Sequence, residues 1–224
     1  MTAEAAFSRP EDVARYGDGP PKLVPGFHDM QRMATILLAE TVPQDGAVLV
    51  LGAGGGLEMR VFADAHPGWR LTGVDPSAAM LDVACQTLGD QAVRVELIEG
   101  SIDDAPAGPF DAATCILTMP FVPQDQRLPT LRALRQRLKP GAPLVMAHHS
   151  FDRGPQEDAL WMGRFAAFAA LSGITFEPGR RQEMLDRLTI LPPQAEEDLL
   201  RQAGFHDVTL FYAALAFRGW VVSA

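Results

Sequence analysis

Val48-Leu49-Val50-Leu51-Gly52-Ala53-Gly54-Gly55-Gly56, running directly into Leu57-Glu58-Met59-Arg60, decides the fold. Ala47 to Leu51 is an unbroken apolar run, the mark of a strand covered on both faces of a parallel sheet. Five small residues then turn the chain, and a helix from about Leu57 to Ala65 is stopped by Pro67-Gly68. Glycines let the backbone turn tightly and come within contact distance of a ligand, where a Cβ would collide. A tight strand-to-helix turn without any ligand would use the same residues, so the turn alone leaves both readings open.

Strands and helices alternate on from this stretch. Arg70–Val74 reads as a second strand and Ala78–Leu88 as a helix, Val93–Ile98 as a third strand and Ala112–Leu117 as a fourth. Leu128–Leu138 is a helix with Leu128, Leu131, Leu134 and Leu138 on one face, and Leu144–Ala147 is the fifth strand. Regular alternation implies parallel pairing with right-handed crossovers, hence an α/β, doubly wound, mostly parallel sheet. Ahead of it, residues 27–41 carry Met30, Met33, Ile36 and Leu37 at helical spacing, and the first 26 residues, with Pro10, Gly17, Gly19, Pro20, Pro21, Pro25 and Gly26, read as a loop with at most one short helix. Beyond His149, helices are expected at Pro155–Leu171 and Arg181–Leu188, a third at Ala195–Ala203, then His206–Tyr212 and Leu215–Val222 as an antiparallel pair. The chain thus reads as one domain: 1–45 an N-terminal loop and helix, 46–150 a cofactor-binding core, 151–190 a helical insertion or lid, and 191–224 a closing helix and strand pair.

With 224 residues the chain can bury roughly 70 % of its unfolded surface, so a single core is sufficient without staples. Its net charge of −9 argues against charge-driven binding to nucleic acid. The N-terminus shows no basic stretch leading into an apolar run, and no apolar stretch approaches the roughly 20 residues of a membrane span. Two cysteines, Cys85 and Cys115, lie in apolar stretches without metal-ligand spacing and read as small buried residues in a reducing compartment. A cytoplasmic protein acting on a small molecule is the expectation, with a homodimer left open.

The second chemical signal is Leu71-Thr72-Gly73-Val74-Asp75-Pro76-Ser77. Asp75 closes the second strand nineteen positions after Gly56, where a carboxylate can accept both hydroxyls of a ribose. The competing role is a helix N-cap, for which Ser77 is an alternative. Glu99-Gly100-Ser101-Ile102-Asp103 ends the third strand in residues suited to bracket an adenine. Phe110-Asp111-Ala112 opens the fourth strand, which ends in Ile116-Leu117-Thr118-Met119-Pro120-Phe121, and Leu138-Lys139-Pro140-Gly141 joins a helix to the fifth strand.

In this order, over about residues 46–150, these elements resemble the class I S-adenosylmethionine-dependent methyltransferases. The resemblance implies a Rossmann-like methyltransferase fold of seven strands and S-adenosylmethionine as cofactor. It implies that Gly52, Gly54 and Gly56 face the methionine part and Asp75 the ribose, with Ser101 and Ile102 beside adenine and Ile116 and Leu117 near the sulfur. Ala53, Pro76 and Met80 complete the implied contact set. The flanks, Lys22-Leu23-Val24-Pro25-Gly26-Phe27 and Ala203-Gly204-Phe205-His206-Asp207-Val208, resemble the bacterial subgroup containing carboxy-S-adenosylmethionine synthase, in which an aromatic residue, here Phe27, packs on the cofactor. The arginine that holds the extra carboxylate in that subgroup aligns at or near Thr189, so ordinary S-adenosylmethionine is favoured. Val50 stands where the family usually carries an acid before the first glycine, and Glu58 reads as too far into the helix to replace it.

Transfer of a methyl group to a small-molecule acceptor is therefore expected. The competing readings are a cofactor-modifying enzyme, a non-catalytic cofactor binder, and an NAD-dependent oxidoreductase. No catalytic base stands out. His148 and His149 end the fifth strand and could serve, or could be a polar strand end, and His28 lies beside Phe27, while His66 and His206 read as loop residues. Trp161, Phe165, Phe168 and Leu171 form a stripe that either packs the insertion onto the body or roofs a pocket. Arg127, Arg132, Arg135, Arg137 and Lys139 read as solvated, as do Arg180 and Arg181 unless they meet an anionic substrate.

Overall fold

The computed structural model describes residues 19–224; the expectations for Pro10 and Gly17 lie outside them. Two helices come first, α1 (Gly19–Leu23) and α2 (Phe27–Ala39). The core follows as β1 (Ala47–Leu51), α3 (Leu57–Ala65), β2 (Arg70–Asp75), α4 (Ala78–Leu88), β3 (Val95–Glu99), β4 (Ala112–Ile116), α5 (Gln124–Gln136) and β5 (Pro143–His149). The rest is α6 (Pro155–Leu171), α7 (Pro178–Arg187), α8 (Pro193–Gln202), β6 (His206–Ala214) and β7 (Phe217–Ser223). All seven strands form one sheet in the order β3-β2-β1-β4-β5-β7-β6, parallel up to β5 and antiparallel at β7 and β6. The order reverses direction between β1 and β4, and at such a switch point the carboxyl ends of the strands open a ligand crevice.

The period-2 alternation of strands sorts the apolar residues onto two faces. Val48, Val50, Ala112, Ile116, Val145 and Ala147 pack with Met30, Leu38, Met59, Phe62 and Phe165 of α2, α3 and α6. Leu49, Leu51, Ala113, Cys115, Leu144 and Met146 pack with Leu131, Leu134 and Leu200 of α5 and α8. The same alternation separates the two consecutive histidines. His149 turns to the first face, against Phe165 and Phe217, while His148 turns to the second, against Trp220.

Several details depart from the sequence reading. Helix α5 starts at Gln124 rather than Leu128 and passes through Pro129, which costs it one backbone hydrogen bond. Residues 89–94 form a 3₁₀ turn, so β3 begins only at Val95. His206 opens a strand instead of lying in a loop. Leu171 is exposed at the end of α6, whose buried face is Met162, Phe165 and Ala169, and Cys85 lies on the exposed side of α4. Among the described residues no helix is long and apolar enough to cross a membrane.

Arg127 is the largest departure. Far from being solvated, it is completely buried on the second face, where its Nη1 donates to Oε1 of Glu196 on α8 at 2.7 Å. His148 Nε2 lies 3.1 Å from the same oxygen. Burial works to raise the Glu196 carboxyl, but His148 and Arg127 outweigh it and hold it below the ordinary carboxylate value. Removing one member strands a buried charge, so Glu196→Ala should cost about 3–5 kcal/mol of unfolding free energy in urea. Replacing both ions by apolar residues, Arg127→Met with Glu196→Leu, should recover most of that loss.

Candidate functional site

Asp75 organises the crevice. At the carboxyl end of β2 its Oδ2 accepts the Gly54 N–H at 2.9 Å and its Oδ1 accepts the Ser77 N–H at 3.0 Å. One side chain thus ties the glycine turn after β1 to the turn after β2. The helix cap is a separate residue: Ser77 Oγ accepts from the Met80 N–H at 3.3 Å at the start of α4. Burial raises the Asp75 carboxyl above its ordinary value, against the opposing pull of the Ser77 and Gly54 N–H groups. Each oxygen keeps a lone pair for a further donor.

The glycines prove to be partly architectural. Gly52 has φ +77°, and a Cβ there would meet Oγ1 of Thr118 at 2.0 Å. Gly56 has φ +76° and faces the Ala84 Cα of α4, which an added Cβ would approach to 3.0 Å. Close approach within the chain itself therefore demands glycine at both ends of the turn.

Beside the turn lies a narrow void of about 20 Å³ lined by Phe27, Gln31, Gly52, Ala53, Leu57, Glu58, Ile116 and Leu117. Of the residues expected at the cofactor, Phe27, Gly52, Ala53, Ile116 and Leu117 meet here, with Gly54 held to Asp75 alongside. Leu117 adopts φ +59°, an uncommon conformation for a branched side chain and of the kind that concentrates at functional sites. Tyr212 of β6 donates to the Pro25 carbonyl and so fastens the Pro-Gly step ahead of Phe27. Pro76, Met80, Ser101 and Ile102 do not line this void: Pro76 follows β2, Met80 is buried in the first turn of α4, and Ser101 and Ile102 follow β3. There Ser101 is engaged with Asp104, and Ile102 turns into the second-face core.

Sequence reasoning missed Gln31 and set Glu58 aside. Gln31 follows Phe27 by four residues and shares its helix face, which the spacing could have revealed. Glu58 is 7 % exposed and lies on the inner side of α3 with Met59, Phe62 and Ala63. Its Oε1 accepts from Thr114 Oγ1 at 2.5 Å. Thr114 is the register partner of Val50, so the helix folds back to deliver a carboxyl at the level of the strand position that lacks one. Burial pushes this carboxyl up to about 8, the Thr114 hydrogen bond opposing.

The histidines fare differently. His148 belongs to the sealed ion cluster on the opposite face and is removed from the site. His149 is buried, and desolvation followed by the neighbouring His148 pushes its imidazole down to about 3, so it is neutral across the physiological range. His28 is exposed on α2, its ring edge-on to Phe27 at 5.5 Å. A larger cavity, about 510 Å³, separates α6 from α7 and is lined by Pro155, Asp158, Met162, Arg181 and Leu185. Among the described residues no cluster of three or more His, Cys, Asp or Glu side chains could hold a metal ion.

Comparison with known proteins places these features in context. A family model described as a methyltransferase domain matches residues 48–141, the span from β1 to the Lys139-Pro140-Gly141 junction. The carboxy-S-adenosyl-L-methionine synthase of Pseudomonas aeruginosa is 30 % identical over 97 % of this chain and 93 % of its own length. That of Chromohalobacter salexigens is 26 % identical over 97 % and 87 %. Similar solved structures include an O-methyltransferase family protein from Burkholderia thailandensis, at TM-score 0.70 and 15 % identity, and a putative O-methyltransferase from Nostoc punctiforme, at 0.68 and 19 %. The chain spans 62 % and 64 % of those two larger proteins, and the likeness is one of fold.

A carboxyl held neutral in the folded state but ionised when unfolded costs stability as pH rises from 4.5 toward about 8. Glu58→Gln should therefore raise Tm at pH 8 and leave it near wild type at pH 4. Equal Tm values at pH 8 in calorimetry would mean that the carboxyl is not raised.

Proposed function

This chain belongs to the family of the carboxy-S-adenosyl-L-methionine synthases, and from that premise we propose that it binds S-adenosylmethionine in the crevice at the carboxyl ends of β1, β2 and β4 and transfers the methyl group to a small acceptor. The observation that carries the reading is the Asp75 carboxylate bridging Gly54 and Ser77, since it sets a ribose acceptor beside a turn bare of side chains. The cofactor supplies an activated methyl on a sulfonium, so the protein's task is alignment more than activation.

The residues divide that task. Asp75 accepts the ribose hydroxyls, Phe27 and Leu117 cover the sulfur end, and the backbone at positions 52–54 lies against the methionine part. The insertion at 151–190, the N-terminal loop and Phe121 form the acceptor's side of the crevice in this reading. Neither buried histidine serves as base, because His148 is sealed in an ion cluster and His149 protonates only far below neutrality. An acceptor that presents a free lone pair needs neither histidine. The acidic balance of the chain supports a small-molecule acceptor rather than a nucleic acid.

A second reading, in which the enzyme carboxylates the cofactor's methyl group as its curated relatives are named for, draws on the near full-length match. Against it stands the segment 188–191, which has no cationic side chain of its own where the Thr189 N–H meets the Pro120 carbonyl at 2.7 Å; the guanidinium that reaches this segment, Arg153 on the Ile190 carbonyl at 3.4 Å, is paired with Asp158. Arg181 instead lines the cavity between α6 and α7 with Asp158.

Two measurements test this. Asp75→Ala should weaken S-adenosylhomocysteine binding by roughly 1–3 kcal/mol in calorimetry; unchanged affinity removes Asp75 from the site. Mass spectrometry of the nucleoside carried through purification should find S-adenosylmethionine or S-adenosylhomocysteine. A species heavier by a carboxyl group in place of hydrogen would establish the second reading.

A further inference from the structure

Position 50, at the carboxyl end of β1, is an apolar Val, fully buried and without any polar function to offer. Its β4 neighbour in register is Thr114, whose side chain shares the same sheet face. The only carboxyl reaching that place among the described residues comes from the next helix: Glu58 accepts from Thr114 through Oε1, and its Oε2 accepts no hydrogen bond among the described residues. Glu58 also lines the void together with Gly52, Ala53 and Gln31.

The size and chemistry of the void restrict what can fill it. At about 20 Å³ it admits one group of the size of a water molecule. A buried carboxylate without a partner is costly, and a cation placed against it offsets that cost. A primary ammonium has the volume of water, three donors and the complementary charge. A carboxyl that burial keeps protonated while the void holds no cation is what such a site requires.

We propose that Glu58 supplies, from helix α3, the carboxylate that β1 lacks, and that it binds the α-ammonium group of the nucleoside's methionine end in the void beside Gly52. The proposal rests on the reading that S-adenosylmethionine occupies this crevice and adds the residue that recognises its amino group. Thr114 is the positioning residue: by donating to Oε1 it fixes the carboxyl and leaves Oε2 to the ammonium. When the cation enters, the proton on Glu58 passes to solvent, and the charged pair replaces a neutral acid.

Three ligands and two proteins test this by isothermal titration. The ligands are S-adenosylhomocysteine, its desamino analogue with hydrogen in place of the ammonium, and methylthioadenosine, which lacks the amino acid altogether. The wild-type protein should bind the desamino analogue about 10–100-fold more weakly than S-adenosylhomocysteine, as expected for a hydrogen bond to a charged group. Glu58→Gln should lose about the same factor for S-adenosylhomocysteine, while its affinities for the desamino analogue and methylthioadenosine stay near wild type. Equal wild-type affinity for the amino and desamino ligands would overturn the proposal without needing any variant, and so would undiminished S-adenosylhomocysteine binding by Glu58→Gln. Failure of the wild-type protein to bind any of the three would refute the crevice reading itself, and Glu58's role with it. Binding of methylthioadenosine alongside equal amino and desamino affinities would refute Glu58's role alone.

Discussion

The crevice depends on one carboxylate held by two backbone N–H groups. Asp75 bridges Gly54 and Ser77, and those two residues belong to turns that follow adjacent parallel strands. Parallel pairing of β1 with β2 brings both turns to the same sheet edge, and the change of direction between β1 and β4 keeps that edge uncovered. The glycine turn then completes the geometry by taking conformations that a side chain would forbid, with Gly52 against Thr118 and Gly56 against α4. The crevice is therefore a by-product of how tightly this chain packs on itself at the switch point.

Buried charge is handled in opposite ways on the two faces. On the second face, Arg127, Glu196 and His148 form an ion-paired group with both charge signs present and side chains wholly inaccessible, in which Arg127 Nε and Nη2 and Glu196 Oε2 have no hydrogen-bond partner among the described residues. On the first face, Glu58 has only a threonine hydroxyl for company, and it stands at a void. The ion pairs of the second-face group join α5 and α8 to β5 of the sheet. Glu58 differs from Glu196 in its place: it lines the void beside Gly52, where a small group has room against it.

Much of this was legible in the sequence, for identifiable reasons. Local apolar patterning and the stops Pro67-Gly68 and Gly89 marked β1, α3 and α4 to the residue, and the Asp75 signal met the glycine turn at Gly54 because local spacing sets both. What escaped depended on contacts between distant segments. Arg127 looked like one of a string of surface cations until Glu196, 69 residues away, came to meet it. The two histidines were indistinguishable as neighbours, yet strand alternation sends them to opposite faces with different partners. Glu58 was misjudged because helix position was counted along the chain, whereas the strand–turn–helix reversal returns it to the level of Val50.

The central claim is that the bare turn and the Asp75 carboxylate together hold a sulfonium nucleoside. A crystal structure of the protein grown with S-adenosylhomocysteine tests it most directly. The account predicts density along the carboxyl edge of β1 and β2, with both ribose hydroxyls on Asp75 and the amino acid portion reaching toward Gly52. An unfilled edge at saturating nucleoside, or a nucleoside seated elsewhere, such as the cavity between α6 and α7, would contradict it.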